Sequence, residues 1–385
     1  MLAFLPLAHI FEMVLENLVL FIGGTLGYSN PRTLSDVSVK NCAGDMREFR
    51  PTVLIGVPQV WENVRKAFML KLENEHPVRR FLFWAAFSYK SFMSRNKLPL
   101  ASIFDGIILS KVRESTGGRV RFIVNAASGI ATSTRRFLSL VLAPMLLGYG
   151  LTETCGSGAL GSPLEYSLYS IGAIPASIDV KLVSVPDLGY NTDGVKTPQG
   201  EILLKGLPVM KAYFNNPEET AKALTSDSWF KSGDIGEFDV NGQLRVIDRI
   251  KNLVKMQGGE YIALEKVESI YLTAKTVANV MIHADADHLR PIAIIMPSEK
   301  VLVAKAKELG IVEKDMHTNP KIRDFVFQDL QATGRRSGLS KLEIVSGLVI
   351  TDRKWTPQSV RCTLCQGNST TDKKGCRVWS LPPRS

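Results

Sequence analysis

Between residues 61 and 148 helical patterns alternate with short apolar runs, and few architectures accommodate that order. WENVRKAFMLKLEN (61–74) follows a turn at Pro58 and spaces its apolar residues as one face of a helix. Residues 78–94 continue in helical style, with many aromatics. RVRFIV (119–124) reads as a strand that ends in the small residues 125–129, and the apolar stretch 135–147 enters a second strand that ends at Gly148. Strands separated by helices need crossover connections, so this portion predicts an α/β layer on a largely parallel sheet.

The texture then changes. DVKLVSV, GEILLKG and GQLRVIDR are short strands between Asn, Gly, Asp and Pro turns, which predicts a small antiparallel or barrel-like subdomain over 170–247. After Lys255 a helix (264–274), two strands (VANVMIHA and RPIAIIMP), helices at 299–309 and 320–334 and a strand near 344–350 make a compact α+β unit. The expected division is therefore a large unit over 1–247, a hinge at 248–253, a small domain over 254–357, and a polar, aperiodic tail at 358–385 that is disordered or foreign to the fold.

The first 28 residues, MLAFLPLAHIFEMVLENLVLFIGGTLGY, are strongly apolar. No basic n-region precedes them and Glu12 and Glu16 interrupt them, which argues against a signal peptide. The uninterrupted apolar run is too short to span a bilayer. Leu15, Leu18, Val19 and Ile22 keep helical spacing, so a buried helix is expected. Lys and Arg outnumber Asp and Glu by 47 to 37, but no five basic residues run together. That balance is compatible with nucleic acid, an anionic membrane face or nucleotide and CoA phosphates, or is merely a basic surface; because of the nucleotide motifs below, no nucleic-acid partner is expected. The five cysteines include three crowded into the tail, which is no secreted disulfide framework and points to a reducing compartment.

Three segments carry chemistry. In GYGLTET (148–154) two glycines flank an aromatic at a strand end. Gly150 can let backbone approach a ligand, Tyr149 offers a flat face to a purine, Thr152 a hydroxyl to a phosphate oxygen, and Glu153 a hard oxygen ligand for Mg2+, or the segment is simply a turn. In WFKSGD, Asp234 follows a Gly turn and can accept from a ribose diol, or can simply satisfy its own turn. In DRIKNLVK, followed by GGEY, a charged run precedes paired glycines, which suits a hinge and a mobile loop as well as it suits a solvated linker. Arg249 there can fork onto ribose or phosphate oxygens.

In this order and spacing GYGLTE, YFNNPEET, WFKSGD and DRIKNLVKMQGGEYIALEKVE resemble the AMP-forming, adenylate-forming superfamily, and QGGEYIALEKVES its eukaryotic, fungal-like long-chain fatty acid–CoA ligase branch. LPLAHIFE and FRPTVLIGVPQVWENVRKAF fit the same branch, so the likeness covers about residues 4–357. The resemblance implies ATP-dependent activation of a long-chain fatty acid through an acyl-adenylate, with Mg2+ as cofactor and CoA as co-substrate. It implies that Tyr149 stacks on adenine beside Ala127 and Ser128, and that Thr152 and Glu153 are catalytic, Glu153 holding Mg2+. Asp234 and Arg249 take the ribose, Asp248 is the hinge, Gly258 and Gly259 border the pantetheine tunnel, and His9 lies near the acyl pocket, a packed core histidine being its alternative.

Two departures bear on activity. The resemblance implies a Ser/Thr/Gly-rich phosphate loop upstream of LPLAH and a lysine downstream of WTP. The first has no match, and after Gln358 the sequence ceases to match, leaving Lys373 and Lys374 in unrelated surroundings. The chain is thus expected to be an N-terminally truncated ligase with an aberrant C-terminus, or an impaired fragment that binds nucleotide or acyl-CoA. From the family alone, an intracellular, peripheral membrane location is expected, at endoplasmic reticulum, lipid droplet or peroxisome.

Overall fold

A computed structural model describes residues 1–36, 39–96, 98, 113–352 and 355. Strands β1 (Leu2–Ala3), β2 (Gly27–Tyr28), β3 (Val53–Gly56), β4 (Phe122–Asn125), β5 (Met145–Tyr149) and β6 (Ala159–Leu160) form one sheet in the order β2-β1-β3-β4-β5-β6. All pairings are parallel except β5 with β6. The connecting helices are α1 (Ile10–Phe21), α2 (Asp45–Phe49), α3 (Pro58–Glu73), α4 (Pro77–Arg95) and α5 (Thr132–Val141). Pro58 and Pro77 open α3 and α4, where a missing N–H costs nothing and a fixed φ favours the helix. Leu54, Ile123 and Met145 point to the face covered by Trp61, Phe83, Phe137 and Leu138 of α3, α4 and α5. Ile55 and Val124 point to the opposite face, against Phe11, Leu15 and Val19 of α1. Burial on both faces is what makes these strands uniformly apolar.

The expectation of a buried N-terminal helix is half right. Phe11, Leu15 and Val19 form the inward stripe, but Leu18 and Ile22 point to solvent and Phe21 is 88% exposed. Glu12 and Glu16 are the buried side chains instead, and Glu16 Oε2 accepts from the Tyr28 hydroxyl at 3.0 Å. The apolar content all round the helix hid which stripe the sheet takes. No described helix is long and apolar enough to cross a membrane.

Strands β7 (Ile178–Val183), β8 (Gln199–Gly206), β9 (Phe230–Phe238) and β10 (Leu244–Arg249) form an antiparallel sheet, ordered β10-β9-β8-β7, with α6 (Pro217–Ala223) between β8 and β9. It is an open sheet with β7 and β10 at its edges. The chain then makes a one-turn helix at Ile250–Asn252 and a hairpin of β11 (Leu253–Lys255) and β12 (Tyr261–Ala263). Next come α7 (Leu264–Tyr271), β13 (Val277–His283), β14 (Ile292–Pro297), α8 (Glu299–Leu309), α9 (Pro320–Arg336) and β15 (Gly347–Ile350). β14 pairs antiparallel with β13 and parallel with β15, and the two helices α7 and α9 bury Val267, Tyr271, Val326 and Leu330 against this sheet. Two side chains of α3 reach β13: Lys66 Nζ donates to the Val277 carbonyl at 2.6 Å and Gln59 Nε2 to the Ala278 carbonyl at 3.0 Å. The tail 358–385, with Lys373 and Lys374, lies outside the described residues.

Candidate nucleotide site

The site is built where β4 and β5 end. Tyr149 is the last residue of β5, and its hydroxyl donates to Asp234 Oδ2 at 2.8 Å. Asp234 sits on β9 directly opposite Arg249 of β10, so the antiparallel register brings the Arg249 Nε to 3.1 Å from Asp234 Oδ1. The Asp234 amide closes the turn onto Ser232 Oγ at 3.0 Å. Asp234 is buried while Arg249 is about half exposed. Burial raises the Asp234 carboxyl above its usual value, although Tyr149 and Arg249 pull the other way. The Tyr149 phenol is held well above its ordinary range by burial and by the Asp234 charge. Three residues from three predicted motifs thus share one cluster.

Thr152 and Glu153 follow in a single 3-10 turn at Thr152–Thr154. Thr152 is exposed, and Glu153 is half-buried with Oε1 accepting from the Tyr213 hydroxyl at 2.8 Å. The Met210 amide donates to the Glu153 carbonyl at 2.7 Å, so the segment before α6 is stitched to this turn twice. Burial, followed by the hydrogen bond to Glu153, pushes the Tyr213 phenol up to about 12. At Gly150 a Cβ would lie 2.1 Å from the Gly156 carbonyl oxygen, so only glycine fits the crossing of the two chain segments.

Ala127 and Ser128 are exposed just beyond the end of β4, next to the end of β5. Ala127 has φ +76°, a left-handed conformation that costs a non-glycine residue energy and is found at functional turns. Asp248 lies inside β10 opposite Ile235, and the chain leaves the ladder only at Ile250–Asn252. Its Oδ1 accepts from the Arg249 amide at 2.6 Å, its Oδ2 has no partner, and burial together with the Glu265 and Asp234 charges raises it to about 6. Gly258 and Gly259 occupy the β11–β12 turn, with open space where a Cβ would stand at either. His9 is exposed and caps α1, its Nδ1 accepting from the Phe11 amide at 3.2 Å, so the alternative of a packed core histidine is incorrect.

A single carboxylate and a hydroxyl are a donor set that fits Mg2+, which commonly takes one or two carboxylates and leaves other positions to water and substrate phosphates. Among the described residues no three His, Cys, Asp or Glu side chains could hold a metal by themselves. Tyr213 and Ser232 are the site residues sequence reasoning passed over. Both lie inside the recognised motifs YFNNPEET and WFKSGD, and their hydroxyls were the available signal.

A family model described as AMP-binding enzyme matches residues 1–214. Over 360 residues the chain is 58% identical to a palmitoyl-CoA ligase of Gibberella moniliformis, covering 93% of this chain and 53% of that protein. It is 43% identical over 371 residues to long-chain-fatty-acid–CoA ligase 1 of Saccharomyces cerevisiae, covering 94% of this chain and 53% of the yeast protein. The chain therefore spans about half the length of the curated relatives it matches. Among solved structures, the adenylation domain of a carboxylate reductase from Mycobacterium chelonae superposes with a TM-score of 0.71 at 23% identity, over 92% of this chain and 49% of that one. The A-PCP didomain of a carboxylic acid reductase from Segniliparus rugosus, in complex with AMP, gives 0.69 at 22% identity, over 94% and 46%. At such identities these two structures establish the fold.

Proposed function

Because the chain belongs to the AMP-binding enzyme family, we propose that it takes part in the ATP-dependent conversion of a long-chain fatty acid to its CoA thioester through an acyl-adenylate. The observation that carries this reading is the Tyr149–Asp234–Arg249 cluster, in which the antiparallel β9–β10 pair sets Asp234 and Arg249 against Tyr149 at the carboxyl end of parallel β5, where such sheets bind ligands. The names of the relatives supply the substrate class.

In this reading the fatty carboxylate oxygen bonds to the α-phosphorus of ATP as the bond to pyrophosphate breaks. The CoA sulfur then bonds to the acyl carbon, and AMP leaves with the carboxylate oxygen. The chain's contribution is position and charge, which can supply much of the barrier lowering in phosphoryl transfer. The Tyr149 ring lies along the adenine, with Ala127 and Ser128 at its edge. Asp234 retains acceptor capacity beyond its bonds to Tyr149 and Arg249, since an ionised carboxylate offers about four lone-pair sites, and takes the ribose hydroxyls there. Thr152 donates to an α-phosphate oxygen, and Arg249 adds a cation at the ribose side. Glu153 would hold Mg2+, which supplies charge neutralisation at the phosphate oxygens when bound. Rotation about the segment from Asp248 to Leu253 presents the Gly258–Gly259 turn to the thiol, and His9 stands at the acyl side.

Incubation of the full chain with labelled palmitate, ATP, Mg2+ and CoA tests the reading. Thioester is expected, and nucleotide binding is expected to fall on Asp234→Ala. Nucleotide binding without thioester would instead favour the reading in which the chain binds nucleotide or acyl-CoA and does not ligate.

A further inference from the structure

The small unit that follows the hinge shares no apolar core with the large one. Its cluster of buried side chains draws on Val254 to Ile350, and the apolar clusters of the large unit draw on residues up to Val246. Two units without a common apolar core move relative to each other unless something else holds them. Here α3 supplies the hold. Gln59 and Lys66 stand two turns apart on one face of that helix. They donate to the carbonyls of Ala278 and Val277, in the first two residues of the edge strand β13, at 3.0 and 2.6 Å. The Lys66 bond is charge-assisted, the stronger kind.

Both ends of this contact are anchored. On the large unit, Trp61 of α3 is buried in the core, and Arg65 Nη1 donates to Thr134 Oγ1 of α5 at 3.2 Å. On the small unit, Asp329 Oδ2 of α9 accepts from both the amide and the hydroxyl of Thr276, at 3.1 and 2.8 Å, which fixes the entry to β13. The Gly258–Gly259 turn meanwhile lies in solvent, with nothing within 4 Å of where a Cβ would stand at either glycine.

We propose that Lys66 and Gln59 are positioning residues that latch the small unit to α3, and that this latch opens before the Gly258–Gly259 turn approaches the acyl-adenylate. The latch stands on the contacts above. Its link to the thiol step rests on the function proposed for the nucleotide site.

Limited trypsinolysis of the full chain tests the latch, with cleavage after Lys251 followed by mass spectrometry. Lys251 lies in the one-turn segment Ile250–Asn252, where the two units part. In Lys66→Met with Gln59→Leu, cleavage there should rise about tenfold or more, because proteolysis tracks the population of the opened form. Lys66→Arg keeps a charged donor and should cleave within about threefold of the parent. Cleavage after Lys222, on α6 of the large unit, and the melting temperature should stay as in the parent. Unchanged cleavage after Lys251 in the double variant would overturn the latch. So would a rise shared equally by Lys222, which reports general loosening. These results are read whether or not the chain makes thioester, so failure of the ligase reading leaves them standing. Where thioester forms, the double variant should convert supplied acyl-adenylate with CoA at least as fast as the parent. Slower conversion despite faster cleavage after Lys251 would show that the latched orientation is itself the one that meets the thiol.

Discussion

The Tyr149 hydroxyl lies 2.8 Å from Asp234 Oδ2, joining residues 85 positions apart across two sheets. The bond holds a buried carboxylate in place, and it predicts a graded response to substitution. Tyr149→Phe keeps the flat ring and removes one donor, so stability should fall by about 1–2 kcal/mol and AMP affinity by less than tenfold. Asp234→Ala leaves both the phenol and Arg249 without their acceptor and should weaken AMP by more than about tenfold. Calorimetric titration with AMP, beside chemical denaturation, separates the two. An Asp234→Ala variant that binds AMP like the parent would show that the ribose goes elsewhere.

Tyr213 supports Glu153 from outside the GYGLTET segment. Removing its hydroxyl in Tyr213→Phe frees the carboxylate to rotate without altering its charge. The Mg2+-dependent increment in ATP affinity should shrink by about fivefold, since a hydrogen bond to a charged group contributes about 1 kcal/mol or more. AMP binding measured without Mg2+ should not change. Titration of ATP with and without Mg2+ reads both, and an unchanged increment would mean that Glu153 needs no support.

Two glycines of the candidate site make opposite predictions. Gly150→Ala forces a Cβ into the Gly156 carbonyl, and a backbone atom cannot swing aside, so a loss of at least about 3 kcal/mol is expected. Gly258→Ala meets open space at an ordinary φ, so its stability should stay within about 0.5 kcal/mol of the parent. Any loss there should appear only in thioester formation. Melting curves and a two-step assay of adenylate and thioester decide the matter.

Much of this was legible before any coordinates. The helices at 61–74, 78–94 and 299–309 lie within a few residues of α3, α4 and α8, because apolar spacing, and in α3 and α4 an opening proline, are local signals. Asp234 and Arg249 were singled out by motif, yet only the β9–β10 register brings them together. The strand GQLRVIDR reaches Arg249 in the sequence, and the pairing of Asp248 with Ile235 places it in the ladder, so the chain leaves the sheet just after the residue expected as hinge. Lys66 reads as one more charge on an amphipathic helix, and nothing local shows that its ammonium meets the Val277 carbonyl 211 residues away. Contacts of that sequence separation are fixed by topology and escape local pattern.

That Lys66 contact makes its own prediction. Burial lowers the Lys66 ammonium to about 8, so the folded chain binds fewer protons than the unfolded one between about 8 and the ordinary 10.5. Stability should therefore rise with pH across that window, the burial cost of the charge being felt in full below 8. Lys66→Met removes both the cost and the hydrogen bond. It should flatten the alkaline limb and speed amide exchange in β13, with little change in global stability. Exchange followed by mass spectrometry, at pH values matched for intrinsic rate, reports the loosened contact, and β13 protection equal to the parent would show that Gln59 alone secures it.

Glu12 runs the opposite way. It is buried on the inner side of α1, and burial, then the neighbouring Glu16 charge, raise it to about 7, against a smaller lowering by the Phe4 and Leu5 amides. A carboxyl whose folded value lies above its unfolded value binds extra protons when folded. Its stabilising share is complete below about 4.5 and is lost as pH rises through 7. Glu12→Gln keeps the shape and cannot ionise. The variant should therefore gain on the order of 1 kcal/mol at about pH 8 and almost nothing at about pH 4, after allowance for solvent screening. Thermal denaturation of parent and variant at the two pH values measures the difference. A gain of the same size at both would trace the effect to packing, and a loss at pH 8 would mean that the charged carboxylate is the form this helix holds.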